Sequence, residues 1–222
     1  ATIYVGDGHN IYLAAGASGA GTLRIGGNVG TGIVVGESAA NTGSMSLSGS
    51  NVVFSSSTTY GTRVAVNGLG NQTITAQDSV RLVQTSGPGI WVQVADGLQN
   101  VRTTNAAPAV SESNPTGAGL WISSAGATSG QASLNATGGL AGRQVIDIAG
   151  NILLENGPGG VGTGDNAATI NASNGWKTSD PEHCSEELRT KLGRPAKFVF
   201  TSNAVAPEML GFDLVRAVPK LS

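Results

Sequence analysis

Charge, cysteine and aromatic side chains are all scarce in this chain of 222 residues. Charged residues make up 12 %, about half the usual ~25 % share. With a net charge of −2 there is no basic surface of the kind nucleic acid needs, so no nucleic-acid partner is expected. The single cysteine, Cys184, excludes a disulfide within the chain. No apolar run approaches the roughly 18 residues of a helical membrane span. Aromatics are 5 %, too few for a sandwich core that leans on large side chains. The sequence starts at Ala1 rather than Met. A removed signal peptide would account for such a start, and so would a boundary set within a longer chain; secretion is the expectation.

Glycine fills part of the gap. There are 34, about twice the usual ~7 % share. Disordered chains share this polarity but are short of β-branched residues, whereas here Val, Ile and Thr recur periodically. The chain also divides sharply. Residues 1–175 carry 32 of the glycines and 13 charged side chains, and residues 176–222 carry the other 13 charges in barely a fifth of the length. Such a break marks a change of architecture near Gly175.

The first region reads as short strands separated by Gly, Asn and Ser, residues that accept left-handed backbone or close Asx turns. Expected strands are 2–5, 10–13, 22–25, 33–35, 44–47, 52–54, 63–66, 73–75, 79–83, 90–94, 120–123, 132–134, 144–148, 152–154 and 168–170. Residues 101–119, with Pro108 and Pro115, show no clear strand and read either as a projecting loop, a common place for binding on such scaffolds, or equally as an irregular coil of the array. A Gly with a nearby Asn precedes several strands, at Asn10, Asn28, Asn51, Asn71 and Asn151. The first three gaps are 18, 23 and 20 residues, the length of one coil in a repeat array. Asn at equivalent corners would form a ladder of side-chain amides, or serve simply as turn formers. The expected fold is therefore all-β, a single-stranded parallel β-helix or β-solenoid, with 1–175 forming about seven or eight coils.

Residues 176–222 read as a small α+β cap. Ser179-Asp180-Pro181-Glu182 is a helix start, and the helix runs to about Leu192 with Gly193 as its stop. Phe198-Val199-Phe200 reads as a strand. At the other end, Ala1-Thr2-Ile3-Tyr4-Val5 is strand-like with no comparable cap, and an uncovered edge invites another chain to stack. Candidate assembly residues are Ile3, Tyr4 and Val5 at one end and Phe198, Phe200, Phe212 and Leu214 at the other. The expected partner is a second copy of the chain, head to tail, with surface glycans or host and cell surfaces as further partners. Head-to-tail contacts do not close on themselves and build filaments.

Catalytic chemistry finds little support. His9 and His183 lie far apart. His183, Cys184, Glu186 and Glu187 are close in sequence but do not share one helical face, so no metal site is assigned. Gly87-Pro88-Gly89 and Gly157-Pro158-Gly159-Gly160 lack the following Lys-Ser/Thr of a phosphate loop and read as turns. Asp78, Asp96, Asp147, Glu155 and Asp165 stand singly, where sugar cleavage needs paired acids. No catalytic residue and no cofactor is assigned. Trp91 and Trp121, inside strands, leave open a carbohydrate-binding or carbohydrate-cleaving β-helix of the polysaccharide-lyase or phage-fibre kind, or they serve only as packing.

Two kinds of phrase carry a resemblance. GTLRIGGNVGTGIVVGESAANTGSMSLSGSN (Gly21–Asn51) resembles the passenger repeats of bacterial autotransporters. GNQTITAQDSVRLVQTSGPG (Gly70–Gly89) and GNILLENGPGGVGTGDNAATINASNG (Gly150–Gly175) are similar to repeats of filamentous-haemagglutinin-like adhesins. The resemblance covers most of residues 10–175. It implies a right-handed β-helix, export across an outer membrane, and an adhesive or biofilm-matrix role outside the cell. No secretion domain or membrane barrel of those families is recognisable here, and the charged segment from Trp176 matches neither.

Overall fold

The computed structural model describes residues 2–15, 21–26, 31–56, 61–84, 89–124, 132–137, 143–155, 168–172 and 198–201. Within them every strand pairing is parallel, and no helix occurs. The backbone winds as a β-solenoid with three faces to a turn. Face 1 stacks β1 (Thr2–Val5), β4 (Thr31–Val35), β6 (Thr62–Val66), β8 (Ile90–Val94), β11 (Ala132–Ala136) and β14 (Ala168–Ala172). Face 2 stacks β2 (Ile11–Ala14), the first half of β5 (Met45–Ser56), the first half of β7 (Gln72–Gln84), β9 (Leu98–Thr103) and β12 (Arg143–Ile148). Face 3 stacks β3 (Thr22–Gly26), the second halves of β5 and β7, β10 (Leu120–Ser123), β13 (Ile152–Glu155) and β15 (Phe198–Thr201). From β1–β3 to β11–β13 the chain climbs about four turns. In β5 and β7 the strand carries on around the corner between faces 2 and 3, and the register between them shifts at Gly49/Asn51.

Alternation explains what lies inside. Ile33, Val64, Val92 and Leu134 form one interior column on face 1, and Val35, Val66, Val94 and Ala136 form the next. On face 3, Ile25, Phe54, Leu82, Ile122 and Leu154 stack in register. Each large buried side chain stabilises the stack by about 1.5–3 kcal/mol, and its apolar neighbours are the equivalent residues one turn above and below.

The interior also holds an amide ladder. Gln99 Nε2 donates to Gln72 Oε1 at 2.8 Å, and Gln144 Nε2 donates to Gln99 Oε1 at 2.6 Å. The Nε2 groups of Gln72, Gln99 and Gln144 also reach across to the carbonyls of Val64, Val92 and Leu134, at 3.2, 3.0 and 3.2 Å respectively. Gln72 and Gln99 are fully buried, so these bonds offset a desolvation cost of a few kcal/mol per amide, roughly 1–3 on mutational evidence.

A second polar column closes the corner between faces 1 and 2. The buried Asn41 accepts from Gly8 N and Gly43 N and donates to the carbonyls of Gly43 and Asn67. Asn67 donates in turn to Gly36 O at 2.7 Å. Beside them run Gly43, Gly70 and Gly97. A Cβ on Gly70 would lie 1.8 Å from Gly43 O, and one on Gly97 would lie 1.9 Å from Gly70 O. Turns approach so closely here that only a hydrogen fits.

Several expectations need correction. Successive residues of the glutamine ladder are 27 and 45 apart, not about 20, and the solenoid has about four turns rather than seven or eight. The Gly/Asn punctuation marks corners, and a turn has more than one. The five asparagines do not form one ladder. Asn10 and Asn71 share the corner before face 2 with Ser44 between them, and each caps the next turn, Asn10 Oδ1 accepting from Ser44 N and Asn71 Oδ1 from Leu98 N. Asn51 and Asn151 belong to the corner before face 3, where Ser79 Oγ donates to Asn51 Oδ1 at 2.6 Å. Asn28 lies outside the described residues. Residues 101–103 belong to β9, so the strandless excursion is 104–119. The expected strand at Phe198–Phe200 is β15, which pairs with β13 and extends face 3. The expected helix at 179–192, Phe212 and Leu214 lie outside the described residues.

Two outcomes follow. Gly70→Ala forces a methyl onto a neighbouring carbonyl and should cost about 3 kcal/mol or more. Gly8→Ala, at φ +76° with nothing within 4 Å of its Cβ, should cost only about 1 kcal/mol; urea unfolding midpoints compare the two. The exposed Asp7 accepts the Ser38 hydroxyl at 2.6 Å and the amides of Glu37 and Ser38 at 2.6 and 3.3 Å. The Ser38 hydroxyl, then the two amides, hold its carboxyl below its ordinary value of 3.8. A depressed folded-state pKa contributes stability above the unfolded value that is lost as pH falls through the folded one. The stability advantage of wild type over Asp7→Asn should be constant near neutrality, begin to decline near the ordinary value of 3.8 and vanish below the lowered folded-state value, as read from unfolding midpoints across pH.

Candidate functional site on the third face

The outer surface of face 3 gathers the most chemically varied side chains of the described residues. The register places Arg24, Val53, Arg81, Trp121 and Leu153 in one column, one residue per turn. The adjoining outer column includes Val83, Ser123 and Glu155. Flanking residues of each strand point into the core, so alternation sends these side chains outward.

The excursion 104–119 folds against this surface. Its start is pinned to the preceding turn, with Thr104 N and Asn105 N donating to Gln77 O at 3.2 and 2.8 Å. Asp78 accepts from Ser50 Oγ on one turn and Asn105 Nδ2 on another, both at 2.8 Å, and so joins three successive levels. Further on the segment is closed by its own bonds. Ser111 N donates to Asn114 O and Asn114 N to Ser111 O, while the buried Asn114 donates from Nδ2 to Ala118 O at 3.0 Å. Gly117, at φ +63°, reverses the chain back toward β10. The result is a compact loop whose ends are held by the scaffold.

Ser113 then ties the loop to the column. Thr22 Oγ1 donates to Ser113 Oγ at 3.3 Å, and Arg81 Nη1 donates to the Ser113 carbonyl. These bonds come from levels on either side of Val53, which points outward and is nevertheless buried. Arg81 is only 8 % exposed. Its guanidinium carbon stands 5.0 Å from the centre of the Trp121 ring, a cation–π distance. Burial, and then the charge of Arg24, push its pKa down; a guanidinium starts high enough to stay protonated at neutral pH. Trp121 Nε1 donates to Glu155 Oε2 at 3.1 Å, and Ser123 Oγ donates to the same oxygen at 2.9 Å.

The other residues singled out by sequence are dispersed. Trp91 is half-buried on the outside of face 1, between Arg63 and Ser133 in register. Asp147 pairs with Arg102 at 3.3 Å on face 2, and both are substantially exposed. Asp96 sits at the corner between β8 and β9. Asp78, Asp96, Asp147 and Glu155 thus belong to four different columns. Asp165, His183, Cys184, Glu186 and Glu187 lie outside the described residues. Among the described residues no three His, Cys, Asp or Glu side chains group as metal ligands. Arg81 carried no sequence signal of its own, because a lone Arg in a strand looks like any solvated residue. Only the register sets Arg81 beside Trp121.

The parallel registers and repeating columns place the chain in the class of β-solenoid repeat proteins. Comparison with protein-family models, curated proteins and solved structures yields no match.

Glu155→Ala should remove the acceptor of Trp121 Nε1. One of the three indole N–H resonances should then move in a proton–nitrogen correlation spectrum, with a stability loss of about 1 kcal/mol. Glu155→Gln, which keeps a carbonyl acceptor, should move it less.

Proposed function

We propose that this chain is an extracellular structural protein, a rigid segment of a bacterial surface fibre or adhesin, that lengthens by stacking end to end with a second copy of itself. The observation that carries this reading is the first level of the solenoid. Among the described residues β1 pairs only with β4, and β2 and β3 only with β5. Three parallel strand edges therefore offer their backbone groups in the same direction. Ile3 is 50 % exposed, and Tyr4 and Tyr12 are each 73 % exposed. An open edge with apolar side chains is a template for another strand layer, and the layer that matches three parallel edges is another turn of the same solenoid. The other end supplies β15, which adds a further strand to face 3 beside β13. The resemblance to autotransporter passengers and haemagglutinin-like adhesins agrees with a secreted, surface-exposed, adhesive or matrix role.

Purified protein should show concentration-dependent association by sedimentation velocity and particles of constant width and varied length by negative-stain electron microscopy. The double substitution Ile3→Lys and Tyr12→Lys should shift both toward single short particles while leaving the unfolding midpoint nearly unchanged, since both side chains are exposed. Wild-type protein that stays monomeric at all concentrations would sink this reading.

A further inference from the structure

The excursion 104–119 lies lengthwise along the rod. It leaves the scaffold on the fourth level, between β9 and β10. Its buried Pro108 sits against the corner before β13, with Cδ 3.2 Å from where a β-carbon on Gly150 would stand. At its far point Ser111 and Asn114 exchange backbone bonds of 3.0 and 3.1 Å, which leaves Glu112 and Ser113 as the two residues of the turn. Ser113 Oγ accepts from Thr22 Oγ1 on β3, the first level. The descent from the fourth level to the first is three strand spacings, about 14 Å. Five extended residues, from Pro108 to Ser113, reach about 18 Å at most, so the arm has little slack and runs down face 3. Arg81 on the third level fastens Ser113 by its carbonyl. The tip therefore stands at the open edge of the solenoid. Val110 is 73 % exposed, and Ser111, Glu112 and Pro115 are exposed too.

We propose that this tip is part of the end-to-end junction, where it seats against face 3 of the last turn of a second copy and sets the rotation at which copies stack. The inference rests on the end-to-end reading given above. A copy that completes the edges of the first level places a strand about 4.8 Å beyond β3. The tip already touches β3 through Thr22, so it stands beside that strand. The edges themselves discriminate poorly between rotations, because β1, β2 and β3 are four, four and five residues long and backbone pairing is blind to side chains. The tip breaks this near-equivalence by marking one face of the three. Val110 supplies apolar area to bury on contact, and Glu112 supplies a charge that a mismatched face would leave unpaired.

The test uses the full chain in sedimentation velocity. The double substitution Val110→Arg and Glu112→Arg changes exposed side chains and keeps Ser111, Ser113 and Asn114, so the unfolding midpoint should stay that of wild type. Association should weaken about tenfold, the weight of one buried contact residue. Leu69→Arg, at an exposed corner of the third level, should leave association unchanged. A benzophenone amino acid in place of Glu112, in a mixture of isotope-labelled and unlabelled protein, should cross-link to β13 or β15 of another copy. Three results overturn the inference while leaving end-to-end stacking in place: association that the double substitution leaves unchanged or strengthens, an equal loss with Leu69→Arg, or no cross-link between copies on face 3. Wild-type protein that stays monomeric removes both readings.

Discussion

Everything in this molecule is subject to the spacing between parallel strands, about 4.8 Å from one turn to the next. At that distance each residue's closest neighbours are its own equivalents above and below, so selection acts on columns. Gly43, Gly70 and Gly97 show the constraint at its tightest, because a β-carbon at either of the last two would overlap the carbonyl of the turn before. If that corner opened, the strands on faces 1 and 2 would separate and the ladders of both faces would lose their partners. The narrow interior follows from the same spacing. Val, Ile, Leu and Ala fill most of it, and Phe54 adds a fully buried aromatic.

Polar groups inside such a stack must be satisfied by repetition. Gln99 and Gln144 each donate to the glutamine of the preceding turn and to a carbonyl across the interior, Gln72 donates to the Val64 carbonyl, and the middle member both gives and receives along the ladder. Asn41 does the same for a corner. Register is thereby specified twice, since a slip of one residue would turn apolar columns outward and leave the amides without partners.

Much of the strand pattern was legible because alternation and Gly-rich corners are local properties. Strands at 2–5, 90–94 and 120–123 coincide with those observed. The run Leu98–Thr103 was missed because Gln99 and Val101 face inward while Asn100 and Arg102 face out, and a buried Gln breaks the apolar alternation that marks a strand. The pairs 44–47 with 52–54, and 73–75 with 79–83, were read as separate strands, although β5 and β7 run on through the corner. Asn10 and Asn51 look equivalent because each stands two residues after a glycine, but they lie at different corners.

The sequence by itself determined the class of fold. A chain poor in charge and aromatics, with β-branched residues alternating between glycine-rich corners, can bury its apolar side only by stacking on itself. Tertiary structure alone decided the length of a turn, the glutamine ladder, and the meeting of Arg81 with Trp121 and Ser113. Those contacts join residues 27 to 45 positions apart, and which positions meet is set by how far the chain travels around three faces before it returns. That distance depends on how many residues each corner holds, and the corners have no periodicity from which it could be read.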